Sequence, residues 1–587
     1  MLLQAGGVAD ASPQDAVLGH LLVEVEEAAA AAPPEATPSP SLSSPPRPHP
    51  TQPPAPGSPT TFTSRWLRWL IYSLIWLLGV LVVRPFTFIS FVTKPRSRRV
   101  PALDNPILTM KASSIAAAIR TRKLRAEDVV AAFVERIKAV NPVVNAVVDQ
   151  RFADAMQDAR DIDAKLDAGD ESIADMPLLG VPFTVKESIA VKGLSFRGGQ
   201  PVRDGEERCA REDAPSVARL RAAGAVPLCV TNTPESCLWW ESYNAYTGST
   251  LNPYDTRLTA GGSSGGEGAL LGSAASIMGL GSDIAGSCRL PAFFCGVAGH
   301  KPTPAVVPWK GHAPECDDPR WPNFFTQAPM ARYVSDLPLA LKVLAGDKAP
   351  QLRLDEKVDL RSVRVYYIES EPSSACSDRV GAEVRAAMAR AVQHLRARGL
   401  DVQPLQLAGL EDAFGSAAIA MLQLRRVHTV HYDPARPDSM HRAWPELWRF
   451  LTCRSRSTLH SVIAGVLFAI ATRTPERLVR AADAHRTALG ARLEAALGTD
   501  AVLLYPSLPE PAHRIGLFWC KLLNSSYLMV FNALGLPVTQ VPLGLGQSGR
   551  PVGLQVAANK YQDRLSLTIG QELEAAFGGW VPPPSKE

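Results

Sequence analysis

The feature that most constrains the fold is an alternation of short apolar runs with longer amphipathic stretches, which begins near Ile107. The apolar runs are VPFTV (181–185), AVPLCV (225–230), VRVYYI (363–368), AVLLYP (501–506) and LPVTQVPLG (536–544). Short runs of this kind are typical of buried strands, and amphipathic stretches between them are typical of helices. The sequence therefore predicts an α/β fold, in which helices cover a mixed sheet.

Two helices are predicted at the start of this region. Ser114 is expected to cap the first helix, because a serine side chain can accept a hydrogen bond from a free N–H of the first turn. The second helix has Glu127 and Asp128 in its first turn, where carboxylates suit the helix dipole. Asn141–Pro142 is expected to end it, because proline disfavours the helical conformation of the preceding residue.

Composition divides the chain into three predicted parts. Residues 1–60 are rich in Pro, Ser and Ala and are predicted to be disordered, since they offer few apolar side chains to bury. Residues 61–99 contain an apolar stretch from Trp66 to Val92 and a basic cluster, and they predict a single-pass membrane anchor with a basic linker. An in-plane anchor, or a hairpin that returns at Pro85, are the alternatives. Residues 100–587 are predicted to form the globular domain.

Charge and cysteine usage exclude several classes of protein. Sixty-one basic and 57 acidic residues give a net charge of only +4, and no basic stripe with interleaved aromatics predicts nucleic-acid binding. The nine cysteines form no C-x-x-C pair, so neither a disulfide framework nor a zinc site is predicted. His428, His431 and His441 have no acidic or thiol partner at ligand spacing. We therefore predict no metal and no cofactor.

The glycine- and serine-rich segment 258–291 is the strongest candidate for a reactive site. It is no phosphate-binding loop of the G-x-x-x-x-G-K-[ST] type, because no lysine follows the glycines. A flexible linker would not lead into the apolar run ALLGSAASIMGLG. Gly262 to Gly266 formally matches the G-x-S-x-G nucleophile elbow of α/β-hydrolases, with Ser264 as the nucleophile, but residues 257–260 make a weak preceding strand.

A set of motifs in this region resembles the amidase signature family. The motifs are GGSSGGE (261–267), GSDIAGSCRLP (281–291), GVPFTVKESIAVKG (180–193), NPYD (252–255), GHKPT (299–303) and NALGLPVTQVPLG (532–544). The resemblance runs from about residue 107 to about residue 580. It implies that family's fold, a large, mixed, twisted β-sheet covered by helices, here with an N-terminal transmembrane helix. It also implies a serine hydrolase that cleaves linear amides without a metal or cofactor and can form a homodimer.

The resemblance assigns the catalytic roles. Ser287 would be the nucleophile, Lys186 the base, and Ser263 the relay that carries the proton between them. As a base, Lys186 must be neutral, so burial must lower its pKa from about 10.4 to about 7–8. Asp283 and Arg289 flank the nucleophile and are expected to brace its turn.

The oxyanion hole is implied in the same way. Its donors would be the backbone N–H groups of Ile284, Ala285, Gly286 and Ser287. The family usually has glycine where this chain has Ala285. If that position required a positive φ, the β-carbon would cost about 1–2 kcal/mol and disturb the hole.

Within the family, TNTPESCLWWESYN (231–244), GHKPTPAVVPWKG (299–311) and the N-terminal anchor resemble the branch that hydrolyses fatty acid amides. This implies a lipid-like amide substrate bound near Leu238 and Trp239, and a place on the endoplasmic reticulum or lipid droplets. Segment 444–473 mixes large apolar side chains with arginines, and it predicts either a core helix pair or a surface that touches the bilayer or lines an acyl channel. An amidase of small or peptidic amides is the alternative, and an inactive membrane-tethered protein ranks last, because no catalytic residue is lost.

Overall fold

An eleven-stranded mixed sheet lies at the centre of the computed structural model, which describes Ser73 and residues 97–586 apart from 202–208, 371–376, 434 and 437–441. In chain order the strands are β1 (Val100–Pro101), β2 (Val147–Gln150), β3 (Pro182–Lys186), β4 (Val226–Thr231), β5 (Tyr243–Asn244), β6 (Gly248–Ser249), β7 (Met278–Asp283), β8 (Ala298–Lys301), β9 (Thr326–Ala331), β10 (Arg364–Tyr367), β11 (Val402–Pro404), β12 (Ala501–Pro506), β13 (Val538–Leu545), β14 (Pro551–Ala558) and β15 (Ser585–Lys586). The order across the large sheet is β11-β10-β12-β14-β13-β8-β9-β7-β3-β4-β2. β1 pairs with β15, and β5 with β6, outside it.

Helices surround this sheet. The α-helices span Ala112–Arg120, Ala126–Val144, Phe152–Asp167, Pro215–Ala222, Gly265–Gly272, Arg289–Phe294, Trp321–Phe324, Leu337–Ala345, Ala382–Ala397, Ala413–Leu422, Ala443–Leu451, Leu459–Ala471, Glu476–Leu497, Ser526–Leu534 and Asp563–Phe577. Short 3-10 helices span Pro106–Thr109, Glu171–Ile173, Glu235–Cys237, Val334–Asp336, Gly346–Leu352, Leu360–Ser362, Leu410–Asp412 and Leu517–Ser525. The predicted α/β fold with a large mixed sheet is confirmed.

Burial explains why the central strands read as continuous apolar runs. Every residue of β3, β4 and β12 is buried, so these strands have no solvent-facing side to alternate with a buried one. β7 is equally buried, although its sequence is rich in glycine. β3 is parallel to both of its neighbours, β4 and β7. Parallel neighbours end at the same edge of a sheet, so the residues that follow β3 and β7 meet there.

Two local predictions at the start of the globular region need correction. Ser114 does not cap the first helix, which begins at Ala112. The cap comes from the carboxylate of Asp336, which accepts hydrogen bonds from the backbone N–H of Ala112 and of Ser113 at 2.9 and 3.2 Å. The second helix keeps Glu127 and Asp128 in its first turn, but it continues through Pro142 and ends at Val144.

The N-terminal predictions fall on residues that the structure does not describe. The predicted disordered segment, 1–60, and the predicted anchor from Trp66 to Val92 lie outside the described residues, except for Ser73. Across residues 97–586, within the described parts, no helix combines the length and apolar character that a bilayer crossing requires. The anchor and the domain boundary at residue 100 stay predictions.

Candidate active site

Lys186 is the last residue of β3, and its side chain is fully buried. Its Nζ donates hydrogen bonds to the Oγ of Ser263 at 2.6 Å and to the Oγ of Ser282 at 2.8 Å. Burial lowers the pKa of Lys186, although the nearby Cys237 and Asp283 act in the opposite direction. The lysine is therefore shifted toward the neutral form that a general base requires.

Ser263 lies in the loop that precedes helix Gly265–Gly272, and it is buried. The peptide bond between Gly262 and Ser263 is cis. A β-carbon at Gly262 would lie 2.8 Å from the backbone N of Glu241, so only glycine lets the two chain segments approach this closely. The Oγ of Ser242 accepts from the N–H of Gly265 and donates to the carbonyl of Ser263, which fixes the loop.

Ser287 follows β7 in a turn and is buried. The N–H of Ser264 donates to the carbonyl of Ser287 at 3.1 Å, which joins the two serine-bearing loops. The hydroxyl of Ser264 bonds to the backbone of Ser282 instead of facing an open site. No strand leads into Ser264, which contradicts the nucleophile-elbow alternative, since an elbow serine follows a strand directly.

A buried ion pair holds the turn that carries Ser287. The carboxylate of Asp283 accepts hydrogen bonds from Nε and Nη2 of Arg289, each at 3.0 Å, and from Nδ2 of Asn532 at 2.9 Å. Burial alone would raise the pKa of Asp283, but the Arg289 guanidinium and these hydrogen bonds bring it below its usual range. The prediction that Asp283 and Arg289 brace the turn is confirmed.

The predicted oxyanion hole departs from expectation at Gly286. Its N–H donates to the Asp283 carboxylate at 2.8 Å, because that carboxylate closes the tight turn, so this donor is already engaged. Within the described part of the chain, the N–H groups of Ile284, Ala285 and Ser287 have no protein acceptor. These three N–H groups are therefore available to donate to a bound ligand.

Ala285 is compatible with this turn. It does not adopt a positive φ, whereas Gly286 has φ +98°. A β-carbon at Gly286 would lie 2.5 Å from Cβ of Leu528, so both conformation and space require glycine at this position. The alanine at position 285, where the family usually has glycine, therefore stands at a position that tolerates a β-carbon.

This difference predicts opposite outcomes for two neighbouring substitutions. Ala285→Gly is expected to keep kcat within about threefold, because it changes neither the turn nor its donors. Gly286→Ala is expected to lower kcat by about a hundredfold or more, because the strained turn would displace the neighbouring N–H donors of Ala285 and Ser287, and losing one oxyanion donor costs about that much. Amide turnover and thermal unfolding of both variants test this. A Gly286→Ala enzyme with normal turnover would contradict the assignment of the turn.

The two predicted substrate-binding residues lie in an aromatic cluster. The ring of Trp239 is 4.1 Å from that of Trp519 and stacks on His460 at 5.7 Å, while Leu238 is half-buried. The neighbouring Trp240 makes the contact with the reactive turn, as its Nε1 donates to the carbonyl of Ala285 at 2.9 Å. Trp240 thus connects this cluster to the turn that carries Ser287.

Two further residues at the site were missed by the sequence. Ser282 contacts Lys186 directly, and the Nε2 of His312 lies 3.0 Å from the Oγ of Ser282 and 3.0 Å from that of Ser188. Burial, and then the nearby Lys186, lower the pKa of His312 to about 3, so its imidazole is neutral. Ser282 lies within the GSDIAGS motif and could have been noticed there, but no pattern around His312 marks it.

Comparison with known proteins identifies the family of this chain. The sequence profile of the family described as Amidase matches residues 128–567. The chain is 37% identical over 532 residues to fatty-acid amide hydrolase 2-A of Danio rerio, which covers 88% of this chain and 97% of that protein. It is 37% identical over 548 residues to fatty-acid amide hydrolase 2 of Homo sapiens, covering 89% and 99% of the two chains.

A solved structure of a fatty acid amide hydrolase has the same fold, with a TM-score of 0.65 at 20% identity over 81% of this chain and 87% of that one. The chain therefore belongs to the amidase signature family. It is an amide-hydrolysing serine hydrolase.

Proposed function

We propose that this enzyme hydrolyses fatty acid amides, including primary fatty amides and N-acylethanolamines, at a membrane through Ser287, Ser263 and Lys186. The observation that carries the mechanism is the buried contact of 2.6 Å between Lys186 Nζ and Ser263 Oγ. The identity to the two fatty-acid amide hydrolase 2 proteins, over nearly their whole length, supports the substrate class.

The first step forms a tetrahedral intermediate on Ser287, which precedes the acyl-enzyme. The Oγ of Ser287 attacks the amide carbonyl carbon while its proton passes to Ser263, and Ser263 passes its own proton to the neutral Nζ of Lys186. The carbonyl oxygen gains the negative charge, which the free N–H groups of Ile284, Ala285 and Ser287 stabilise.

The second step expels the amine and then frees the acid. As the C–N bond breaks, Lys186 returns a proton through Ser263 to the leaving nitrogen, which departs as a neutral amine. Water then attacks the Ser287 ester by the same proton path, and it releases the fatty acid and restores the serine. No metal or cofactor takes part in this scheme.

An exposed apolar surface supports the membrane location. Helices Ala443–Leu451 and Leu459–Ala471 pack against each other but leave large apolar side chains in solvent. We define the apolar rim as Trp444, Trp448, Leu451, Leu467 and Ile470, which are 44%, 69%, 66%, 37% and 51% exposed. Clusters of exposed apolar side chains on monomeric proteins mark interaction sites.

The surroundings of the apolar rim favour a lipid surface as its partner. Arg449, Arg454 and Arg456 lie exposed beside it, and basic side chains next to apolar ones suit an anionic bilayer. The carboxylate of Glu235 accepts hydrogen bonds from the N–H and Oγ1 of Thr458, which connects this helix pair to the loop that bears Trp239. A lipid that enters at the apolar rim would therefore meet the aromatic cluster beside the oxyanion turn.

Liposome flotation tests this location. Removing residues 1–99 is expected to retain turnover and part of the liposome binding. Adding Trp448→Glu with Leu451→Glu is expected to weaken that remaining binding by tenfold or more, since each buried side chain contributes about 1.5–3 kcal/mol. Tyr561→Glu, at an exposed aromatic outside the apolar rim, is the matched control and should change nothing. A full-length protein that never binds liposomes would contradict the membrane location.

The substrate class is tested by acyl chains of graded length. Each methylene buried in an acyl channel contributes about 0.8 kcal/mol, so kcat/KM should rise about fourfold per carbon until the channel is filled. We expect acetamide to be a poor substrate and amides of long unsaturated acids to be good ones. The measurement is kcat/KM for amides with acyl chains of two to eighteen carbons, each below its micelle concentration. At first, kcat/KM should rise by about one power of ten for every two carbons added. A profile that is flat or falls with length would favour an amidase of small or peptidic amides.

A further inference from the structure

A chain of hydrogen bonds continues behind Lys186, away from Ser263. Lys186 Nζ lies 2.8 Å from Ser282 Oγ, and Ser282 Oγ lies 3.0 Å from His312 Nε2. The other ring nitrogen of His312 lies 3.3 Å from the carbonyl of Pro314. The four side chains that these hydrogen bonds connect are all buried, so water does not compete for the bonds. They are Ser263, Lys186, Ser282 and His312.

The contact between His312 and Pro314 determines which atom donates in each of these hydrogen bonds. The Pro314 carbonyl can only accept a hydrogen bond, so Nδ1 of His312 must carry the proton that is donated to it. The pKa of His312, lowered by burial to about 3, leaves the ring neutral, so Nε2 has a lone pair and no proton. Nε2 can then only accept, so the hydroxyls of Ser282 and Ser188, each 3.0 Å away, donate to it and share its one lone pair.

The donor and acceptor roles of Ser282 determine how the amine of Lys186 is oriented. Because Ser282 gives its only proton to His312, its oxygen can only accept from Lys186. A neutral lysine has two N–H groups and one lone pair. The protonated amine donates to both Ser263 and Ser282. In the neutral amine one N–H still points to Ser282, and the lone pair accepts from the hydroxyl of Ser263, from which the base must take a proton.

We propose that His312 is a positioning residue, which acts through Ser282 to aim the lone pair of Lys186 at Ser263. The inference rests on the proposed role of Lys186 as the base. Without His312, the Ser282 hydroxyl is free to rotate and donate to the same lone pair, in competition with Ser263.

Few charged groups face Lys186, Ser282 and His312. Around Lys186 the titratable neighbours are Cys237, Asp283, Cys288 and Glu267, and Asp283 is neutralised by Arg289. His312 faces Lys186 and the ring of Phe325, whose centroid is 4.6 Å away. A substitution at His312 therefore acts on Lys186 mainly through Ser282, and not through another ionisable side chain.

The test is the pH dependence of kcat in His312→Leu, which removes the acceptor, and in His312→Gln, whose amide oxygen can accept from Ser282. We expect His312→Leu to lower kcat about tenfold with KM nearly unchanged, which is the size of one buried hydrogen bond. The acid limb of its profile should move about half a pH unit to lower pH, because the released hydroxyl stabilises neutral Lys186. His312→Gln should keep kcat within about threefold of the wild type.

Two further variants serve as a substitute for His312→Leu and as a control. Ser282→Ala should shift the acid limb in the same direction, since Lys186 loses an acceptor, and it serves if His312→Leu does not fold. His394→Gln, at a half-buried histidine on helix Ala382–Ala397, should leave kcat and its pH profile unchanged. An unmoved acid limb in both His312→Leu and Ser282→Ala, or equal losses in His312→Leu and His312→Gln, would overturn the proposal. Retained turnover in Lys186→Met would instead refute the function on which it rests.

Discussion

Ser287→Ala is expected to lower kcat by at least about four powers of ten while the protein remains folded. The hydroxyl of Ser287 supplies the atom that bonds to the acyl carbon, so no neighbouring group can replace it without forming a different intermediate. The side chain is buried in the braced turn, and the loss of one oxygen leaves the pair of Asp283 and Arg289 intact. Amide turnover and the thermal unfolding midpoint of the variant are the measurements.

Ser264→Ala distinguishes this assignment from a nucleophile at the other serine. Among the described residues, the hydroxyl of Ser264 bonds only to backbone atoms of Ser282, at 3.3 and 3.4 Å, so its loss should weaken the loop without removing the reactive atom. We expect Ser264→Ala to retain far more turnover than Ser287→Ala. The reverse order would assign the nucleophile to Ser264.

Lys186→Met is expected to lower kcat by about three powers of ten or more, because a positioned general base contributes about 10²–10⁴-fold and here also returns the proton to the leaving amine. In the wild type, burial lowers the pKa of Lys186, so the neutral, active form accumulates as pH rises through that lowered value. Activity should therefore fall as pH drops below it. Lys186→Met should lose this acid limb together with most of the rate.

The thermal stability of Lys186→Met provides a control, because the pKa shift of Lys186 predicts the direction in which stability should change. A lysine whose pKa is lower in the folded protein than in the unfolded chain destabilises the fold at every pH below its unfolded pKa of about 10.4. Replacing the buried amine of Lys186 with methionine should therefore not lower the thermal unfolding midpoint at neutral pH. A variant that keeps near wild-type turnover across the pH range would show that Lys186 is not the base.

The sequence predicted the sheet well where strands are continuous apolar runs. The runs at 181–185, 225–230 and 501–506 correspond to β3, β4 and β12, which are buried on both faces. β7 was not predicted, because its sequence MGLGSD is rich in glycine and lacks β-branched residues, and its pairing with β3 and β9 overrides that local preference.

Contacts between distant parts of the chain explain what the sequence did not predict. Asp336 caps a helix more than two hundred residues before it, which no local capping pattern can reveal. His312 reaches Ser282 only because the loop after β8 folds against the end of β7. The oxyanion donors were implied as a set, but the engagement of the Gly286 N–H by Asp283 depends on the geometry of one turn.

Residue types alone also left the role of segment 444–473 undecided between a core helix pair and an exposed surface. Its two helices do pack on each other, and Val462 is buried, but Trp448 and Leu451 are about two-thirds exposed. Periodicity reports which side chains share a helix face and not what covers that face. Solvent exposure therefore had to come from the structure.

The most direct test of the central claim, that Ser287 is the nucleophile of this amide hydrolase, is to identify the serine that a fluorophosphonate modifies. The full-length wild-type protein is treated with the reagent, digested and mapped by mass spectrometry, with and without a competing fatty acid amide. We predict one modified residue, Ser287, protected by the substrate and absent from Ser287→Ala. Modification of Ser264, or of a serine outside the two joined loops, would contradict the account.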